Sequence, residues 1–365
     1  MSPRLSFAPD SCGSGALIPA SAPTQRRADA RLLSIDAEGG LALHARRDWL
    51  GLVRREDLVI ANDAATLPGS LRATHPRTGA TVEIRLAGRR SLSADDLVLD
   101  AIVFGEGDHR TRTEDRLAPP PLSRGDTITI EGSALRAIVL EVLDHPRFVR
   151  LDFGTDARLF WSTLARRGRP VQYAHVSTPL ALWDVWTVIA GPPVAFEPPS
   201  AGFVLDWAGL SALRERGVSF GTLTHAAGLS STGDAALDAR LPLDEPYRLP
   251  ARTGALVEET QARGGRVIAI GTTVVRALEH AARDGAIRSG EAIADQRIGT
   301  GSRLRAVDVI VSGTHEPGTS HRELLRAFAS DEVLTRADAL LAQERFRTHE
   351  FGDSVWIEAG AQPIE

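Results

Sequence analysis

The chain has 365 residues with 43% apolar and 24% charged side chains, so we expect a globular protein of two domains, or of one domain that carries an insertion. All 42 basic residues are arginine, which excludes enzymes that depend on a Schiff-base lysine, on pyridoxal phosphate or on a Walker-type phosphate loop. The net charge of −5, the single cysteine (Cys12) and the lack of apolar runs of about 18 residues favour a cytoplasmic protein without internal disulfides, membrane partners or a broadly basic surface.

Residues 1–74 predict the first part of an α/β domain. A segment rich in Pro, Ser, Gly and Ala indicates a loose lead-in over 1–28. The strand-like segment 57–61 then ends on Asn62 and Asp63, a pair that is typical of turns.

Residues 75–167 predict a separate domain, because their pattern of apolar and polar residues differs from that of the preceding segment. Apolar and polar residues alternate in short runs at 81–86, 97–99, 127–130 and 149–153. Turns that contain glycine separate these runs, and no long helical period occurs before Leu159. This pattern is typical of a small antiparallel sheet or barrel, so a long helix inside 80–150 would contradict the interpretation.

Residues 168–365 return to an α/β pattern and predict the second part of the main domain. The predicted elements are a helix at 208–216, a strand at 266–270, a helix at 274–284, a strand at 306–311, and helices at about 320–330 and 331–345. The expected fold is therefore an α/β main domain with an inserted small antiparallel β-barrel.

The first candidate site is the turn Gly271, Thr272 and Thr273, which follows a buried strand and precedes a helix. Free amides at the start of the helix, together with two hydroxyls, can hold an anion or a carboxylate. Ligands of open α/β sheets bind at this end of the strands. The alternative is a tight turn with a threonine that merely caps the helix.

The second candidate is His315, in a segment that follows a strand and precedes a helix. The spacing of Ser320 and Glu323 is that of a capping box, which predicts that the helix begins near His321 and that its positive end favours a neutral His315 imidazole. His315 and His321 lie six residues apart across Pro317, so this is not a helical zinc motif and we expect no metal. A general base or a substrate-holding histidine is one interpretation, and a structural loop histidine is the other.

A third candidate is the segment that contains Glu245 and Tyr247. The chain has two tyrosines, Tyr173 and Tyr247, and a single asparagine, Asn62. Their rarity weakly indicates a function, whereas a solvated acidic turn is the better explanation of the segment from local sequence alone.

Taken together, several strings resemble the S-adenosylmethionine:tRNA ribosyltransferase-isomerase family over about residues 30–358. Residues 265–279, Gly-Arg-Val-Ile-Ala-Ile-Gly-Thr-Thr-Val-Val-Arg-Ala-Leu-Glu, match the family string Gly-x-Arg-Val-Ile-Ala-Val-Gly-Thr-Thr-x-x-Arg-x-Leu-Glu almost throughout. The other similar strings fall in the family order and are 58–63, 199–202, 223–228, 307–317 and 345–353. Six strings in order are far more specific than any one of them.

The resemblance implies an α/β domain with an inserted β-barrel and a defined reaction. The ribosyl part of the co-substrate S-adenosylmethionine is transferred to 7-aminomethyl-7-deazaguanine in tRNA and isomerised to epoxyqueuosine, while adenine and methionine leave. This reaction needs a base beside the sulfonium, a proton donor for adenine and partners for the methionine group.

The family strings and this chemistry together indicate site residues. The expected acid/base residues are His315, His225, Glu245 and Tyr247. The expected substrate-binding residues are Gly271, Thr272, Thr273, Arg276, Ser200, Asp308, Tyr173, Asn62 and Asp63. Among the histidines we favour His315 as the base, with His225 second. Arg276 either holds the methionine carboxylate or pairs with Glu279, three residues on.

Several departures from the family pattern mark a diverged member. Ala64 and Ala65 replace a Thr-Arg pair, Leu243 replaces a histidine before the glutamate, and the proline-rich segment before Tyr173 is reduced. These changes bear more on the tRNA substrate than on the S-adenosylmethionine chemistry. The alternatives are ribosyl transfer or related sulfonium chemistry on a small non-tRNA acceptor, and a binding module that has lost its chemistry.

Overall fold

The computed structural model of the chain describes residues 17–315 and 318–361. Cys12, Glu316 and Pro317, and most of the predicted lead-in, lie outside the described residues. No helix within the described ranges is long and apolar enough to cross a membrane.

The regular elements are labelled in chain order. The strands are β1 Ile18–Pro19, β2 Arg31–Ile35, β3 Leu41–Ala45, β4 Leu58–Asn62, β5 Ala65–Thr66, β6 Ser70–His75, β7 Ala80–Arg89, β8 Val98–Phe104, β9 Thr127–Ile130, β10 Arg136–His145, β11 Phe148–Asp152, β12 Pro193–Ala195, β13 Ser219–His225, β14 Glu245–Leu249, β15 Val267–Ile270, β16 Gly290–Ala294, β17 Val309–Gly313, β18 Arg347–Thr348 and β19 Ser354–Glu358. The helices are α1 Ala157–Arg167, α2 Leu182–Val185, α3 Trp207–Glu215, α4 Ala235–Asp238, α5 Ala251–Ala262, α6 Thr272–Ala281, α7 Ser320–Leu325 and α8 Asp331–Gln343. Short 3-10 helices are Thr24–Arg26, Arg46–Leu52, Thr113–Asp115 and Ser200–Val204.

A nine-stranded sheet forms the main domain, in the order β16-β14-β13-β4-β15-β17-β19-β2-β3. Its centre is parallel, because β13, β4, β15 and β17 pair in the same direction. The two edges are antiparallel. The parallel strands therefore end at one edge of the sheet, where α6 and the loop after β17 begin.

Both faces of this sheet are buried, which explains why its central strands are almost wholly apolar. In β4, Leu58 and Ile60 pack into a core shared with α5, α6 and α8. Val59 and Ala61 point to the other face and pack with Trp49 and residues of α3. The alternation with period two assigns each strand residue to one core.

The inserted module is a closed antiparallel barrel in the order β10-β11-β8-β7-β6-β9. This confirms the predicted fold class, and the regular structure within 80–150 is made of strands and one 3-10 turn. The barrel strands run from Ser70 to Asp152, and α1 adds Phe160 and Leu164 to the barrel core. The predicted boundary at residue 75 thus falls at the end of the first barrel strand, while the domain limits remain predictions.

Two helices of the main domain, α6 and α7, begin or end at residues other than those predicted from the sequence. The helix predicted from Val274 already begins at Thr272, because Gly271 turns the chain sharply there. The cap of α7 is Thr319 rather than Ser320, since the Thr319 side chain accepts from the backbone amide of Arg322 at 3.2 Å. The predicted helix at 320–330 is also shorter, ending at Leu325.

The predicted lead-in is packed rather than loose from residue 17 onward. β1 pairs with β18, and Arg27 donates to Asp353 at 2.8 Å. Asp353 also accepts the backbone amides of Arg31 at 3.0 Å and Arg347 at 2.8 Å. The described part of this segment is therefore held by a short strand pair and by a buried carboxylate near the other end of the chain.

Asp353→Ala should lower the free energy of unfolding by about 3–5 kcal/mol, because it leaves two backbone amides and one guanidinium nitrogen of the mostly buried Arg27 without their acceptor. Urea denaturation followed by circular dichroism measures this. Glu344→Ala is the matched control, since Glu344 is a partly exposed partner of Arg31 at 4.0 Å and should cost less than about 0.5 kcal/mol. Equal losses in the two variants would contradict the anchoring role of Asp353.

Candidate functional site

A cavity of about 990 Å³ lies where the parallel strands end, between the main sheet and the barrel. This is the edge at which open α/β sheets bind ligands. The predicted site residues that line it are Tyr173, Ser200, Glu245, Gly271, Thr272, Thr273, Arg276 and His315. The barrel also contributes to the wall through Arg112, Thr113 and Glu114, so the two domains share the cavity.

The turn at Gly271 opens α6 directly onto the cavity. Gly271 has a φ of 102°, a conformation that side chains rarely adopt, and it caps the helix without a side-chain hydrogen bond. Among the described residues no side chain caps this helix, so its first amides can bind a ligand. The Thr272 hydroxyl lies 3.1 Å from Nδ1 of His321, and Asn62 donates to the Thr273 hydroxyl at 3.4 Å.

Arg276 and Glu245 form a buried ion pair in the cavity wall. One guanidinium nitrogen of Arg276 donates to Glu245, and the other donates to the carbonyls of Leu243 at 3.1 Å and Ala294 at 2.8 Å. Glu279 is not the partner of Arg276. Its carboxylate accepts the amides of residues 305–307 instead, so that alternative for Arg276 is wrong. Burial raises the pKa of Glu245, although Arg276 opposes the shift.

The second oxygen of Glu245 accepts the backbone amide of Gly228 at 2.7 Å. A side chain at Gly228 would collide with the carbonyl oxygen of Ala87, on the barrel strand β7. Glycine at this position thus allows the barrel and the main domain to approach closely beside the cavity.

His225 is fully buried behind Glu245 and does not line the cavity. Its Nε2 lies 3.6 Å from Oε2 of Glu245, and neither ring nitrogen has a hydrogen-bond partner among the described residues. Burial, helped by the charge of Arg276, lowers the pKa of His225 well below its ordinary value. The structure therefore places His225 as a neutral side chain that supports the wall, rather than as a residue that meets substrate.

Asn62 and Asp63 also lie outside the lining, which corrects the expectation that they contact substrate. Asn62 donates to the backbone carbonyl of His225 and accepts its amide, both at 2.9 Å. Asp63 accepts the hydroxyl of Thr224 at 2.7 Å. The pair joins the ends of β4 and β13, so it shapes the site from behind.

Tyr247 and Asp308 lie away from the cavity, and we do not retain them as site residues. The Tyr247 hydroxyl is buried 2.9 Å from Nδ1 of His280, inside the main core. Asp308 accepts the amide of Val267 at 2.8 Å, at the opposite end of β15 from Gly271. Because a strand has two ends, a residue next to the correct strand can still be far from the site.

His315 lines the cavity and stacks on His321, with ring centroids 4.3 Å apart and planes 10° from parallel. Burial, and then the neighbouring imidazoles of His321 and His349, lower the pKa of His315 well below its ordinary value. The neutral imidazole that the sequence predicted is thus explained by burial and by other histidines. Burial also lowers the pKa of His321, to about 4.

Sequence reasoning predicted Tyr173 but missed the cavity residues around it. Tyr173 donates its hydroxyl to Glu197, and Glu197 also accepts the amide of Ser230 at 3.0 Å. Burial and the nearby carboxylate of Glu350 raise the pKa of Glu197 to about 7. For Glu350 itself burial acts upward, but the hydrogen bond and charge of His175 outweigh it and lower the pKa.

The sequence could have indicated these residues only through their positions in or next to strings that resemble the family. Glu197 precedes the string at 199–202, and Glu350 lies inside the string at 345–353. The assembled cavity offers neutral imidazoles, a carboxyl group that titrates near neutrality and an uncapped helix start. Such a set can bind an anionic group and move protons at a buried ligand.

Comparisons with known proteins agree with this architecture. The family model described as queuosine biosynthesis protein matches residues 16–357. An S-adenosylmethionine:tRNA ribosyltransferase-isomerase from Thiobacillus denitrificans is 30% identical over 343 residues, which are 92% of each chain. One from Pelobacter propionicus is 31% identical over 346 residues, which are 92% of this chain and 95% of that protein. The crystal structure of S-adenosylmethionine tRNA ribosyltransferase from Thermotoga maritima has a similar fold, with a TM-score of 0.50 at 22% identity over 94% of this chain and 98% of that one.

The buried His225 should make the protein lose stability in acid. The pKa of His225 is near 6.5 in the unfolded chain and well below that value in the folded protein. As the pH falls through 6.5, His225 therefore takes up a proton only in the unfolded chain, which favours unfolding. His225→Gln should therefore reduce the loss of unfolding free energy by up to about 1.4 kcal/mol per pH unit below 6.5.

Urea denaturation of both proteins at several pH values between about 7.5 and 5 measures this difference. The comparison uses the pH slope, so a constant change in stability caused by the substitution does not affect it. His145→Gln, which removes a barrel histidine that contacts Asp234 at 3.2 Å, controls for the loss of an imidazole. An unchanged slope in His225→Gln would show that this side chain is not held neutral.

Proposed function

The chain belongs to the queuosine biosynthesis protein family, and on this premise we propose that it is an S-adenosylmethionine:tRNA ribosyltransferase-isomerase. It transfers the ribosyl part of S-adenosylmethionine to 7-aminomethyl-7-deazaguanine in tRNA and isomerises it to epoxyqueuosine, with release of adenine and methionine. The observation that carries the proposal is the shared cavity, in which the start of α6, His315 and the Tyr173–Glu197 pair face one space.

We place the methionine carboxylate of S-adenosylmethionine at the start of α6. The amides of Thr272 and Thr273 begin a ten-residue helix, and their positive end favours an anion. Arg276 is a less suitable partner than the sequence suggested, because Glu245 and two carbonyls already occupy both of its terminal nitrogens. Arg276 instead holds the wall against which the ligand lies.

His315 is our choice for the base that removes the proton next to the sulfonium. The positive sulfur acidifies this carbon, and a neutral imidazole accepts the proton without first having to lose one. A neutral imidazole also does not repel the cationic ligand. The stacked ring of His321, itself held by Thr272, limits how far the His315 ring can turn.

The Tyr173–Glu197 pair is our choice for the group that protonates the departing adenine. The Tyr173 hydroxyl donates to one oxygen of Glu197 at the cavity wall, and the amide of Ser230 donates to the other oxygen. Burial, followed by the charges of Glu197 and Glu350, raises the pKa of Tyr173 well above its ordinary value, so the phenol remains a donor. The pair therefore keeps a proton available on the side of the cavity nearest the barrel.

The tRNA must bind through a local surface, since the whole chain carries a net charge of −5. Arg112 on the barrel loop and Arg297 after β16 are exposed and line the same cavity. They lie on the barrel and on the main domain respectively. An anticodon loop that enters between them would bring its modified base to the cavity while its phosphates meet arginine.

The direct test incubates the full chain with S-adenosylmethionine, with and without tRNA that carries the aminomethyl precursor, and follows the products by mass spectrometry. We expect adenine and methionine in equal amounts, together with epoxyqueuosine in the tRNA, only when the precursor tRNA is present. Release of adenine with a small amine but not with the tRNA would replace the tRNA acceptor by a small one. No turnover with either, despite binding of S-adenosylmethionine, would refute catalysis.

His315→Gln should reduce adenine release by more than about tenfold, equivalent to about 1.4 kcal/mol of activation free energy, because glutamine cannot accept the proton. Calorimetry with S-adenosylmethionine and thermal melting should show that binding and folding persist. His44→Gln, at the far edge of the sheet, is the matched control and should keep wild-type turnover. Turnover of His315→Gln within tenfold of wild type would exclude His315 as the base.

A further inference from the structure

Four of the ten histidines of the chain line one cavity: His175, His315, His321 and His349. The mechanism above uses one of them directly and a second as its stacking partner. His175 and His349 form a separate group with Glu350 on another part of the wall. They have no role in the proposed proton transfers, so the chemistry of this second group requires its own explanation.

The three side chains present their ligand atoms to one another. One nitrogen of each imidazole and one oxygen of Glu350 all lie within 4.8 Å. Nε2 of His175 is 3.2 Å from Oε2 of Glu350, and the two imidazole rings stack with centroids 4.5 Å apart. Within residues 17–315 and 318–361, this is the one group of three histidine, cysteine or acidic side chains that comes so close.

The backbone at His349 supports a built arrangement. Neighbouring residues of an extended chain point to opposite sides, yet His349 and Glu350 both line the cavity. His349 has a φ of 68°, in the left-handed region that residues other than glycine seldom adopt, and its carbonyl accepts the amide of Gly352 at 2.9 Å. The turn therefore directs two adjacent ligand-type side chains into the same cavity.

We propose that His175, His349 and Glu350 bind a divalent transition-metal ion of the zinc type, with a further coordination position open to the cavity. Two imidazoles and one carboxylate are a frequent protein ligand set for zinc when a water or substrate atom completes the tetrahedron. This inference does not depend on the proposed function, because it concerns the ligand set alone. It also departs from the sequence expectation of no metal, which had weighed only His315 and His321.

The present spacing needs only a small adjustment to become a coordination sphere. Zinc–ligand bonds of about 2.1 Å in a tetrahedron place neighbouring ligand atoms about 3.4 Å apart. Nε2 of His175 and Oε2 of Glu350 are already 3.2 Å apart, and closer approach of the His349 nitrogen, which lies within 4.8 Å of both, would complete the set of three ligands. All three side chains are partly exposed to the cavity, so an ion can enter from it.

The binding test uses the full chain, stripped with a chelator and titrated with Zn²⁺ in a calorimeter. We expect one ion per chain, and Co²⁺ in its place should give the intense visible absorption of a four-coordinate site with nitrogen and oxygen ligands. Glu350→Gln, His175→Gln and His349→Gln should each weaken zinc binding by about 100-fold or more. His321→Gln is the matched control, because it removes another histidine of the same cavity and should leave the zinc affinity unchanged.

Thermal melting of each stripped variant shows whether it is folded, and Glu350→Gln keeps the size and shape of the side chain should a histidine variant fail to fold. Binding of zinc with the same affinity in all three ligand variants would overturn the proposal. So would loss of binding in His321→Gln alone, or the absence of stoichiometric zinc in the wild-type chain. In each of those cases the three side chains are only a stacked, hydrogen-bonded part of the wall.

Discussion

The buried ion pair between Arg276 and Glu245 holds the cavity wall together. It joins α6, which begins at the cavity, to the start of β14 at the antiparallel side of the sheet, and it reaches the last residue of β16, Ala294, through a hydrogen bond to its carbonyl. Such pairs add little net stability because both partners lose their hydration, but an unpaired buried charge costs about 3–5 kcal/mol. A substitution of either partner therefore leaves the other as an unpaired buried charge. The loss of the pair would also change the position of the first turn of α6.

This constraint also determines the electrostatic character of the site. Because Arg276 and Glu245 neutralise each other, the polar character of the cavity comes mainly from the free amides of α6, from imidazoles and from the Tyr173–Glu197 pair. Burial keeps His315 and His321 neutral. A cavity of this kind can accept a sulfonium ligand with an anionic carboxylate at one end, while its bases remain unprotonated.

The barrel contributes to the site through the loop that contains Arg112, and buried residues of the barrel hold this loop in place. Arg116 lies at the end of this loop and reaches back to Glu83 and to the carbonyl of Gly105, so Arg112 is presented beside the main domain from a fixed point. Glu83 also accepts Arg85 at 2.9 Å, and all three charged side chains are buried. The main domain thus supplies the floor of the cavity and the barrel supplies part of its rim.

The sequence by itself determined the family, the fold class and the two segments on which the cavity depends. The string around Gly271 encodes a buried strand, a turn that only glycine enters easily and a helix start, and each of these follows from residues close together in the chain. His315 was identified for the same reason, since it follows a strand at the edge where ligands bind. Tertiary structure alone decided which polar residues meet in the cavity. Asn62, His225 and Asp308 lie in the family strings and Tyr247 lies in the third candidate segment. Asn62, His225 and Tyr247 nevertheless support the wall or core from behind, and Asp308 lies at the other end of its strand. Glu197, His175 and Glu350 come from separate segments that the packing of loops brings together, and contacts of that kind depend on distances through space that local residue patterns do not encode.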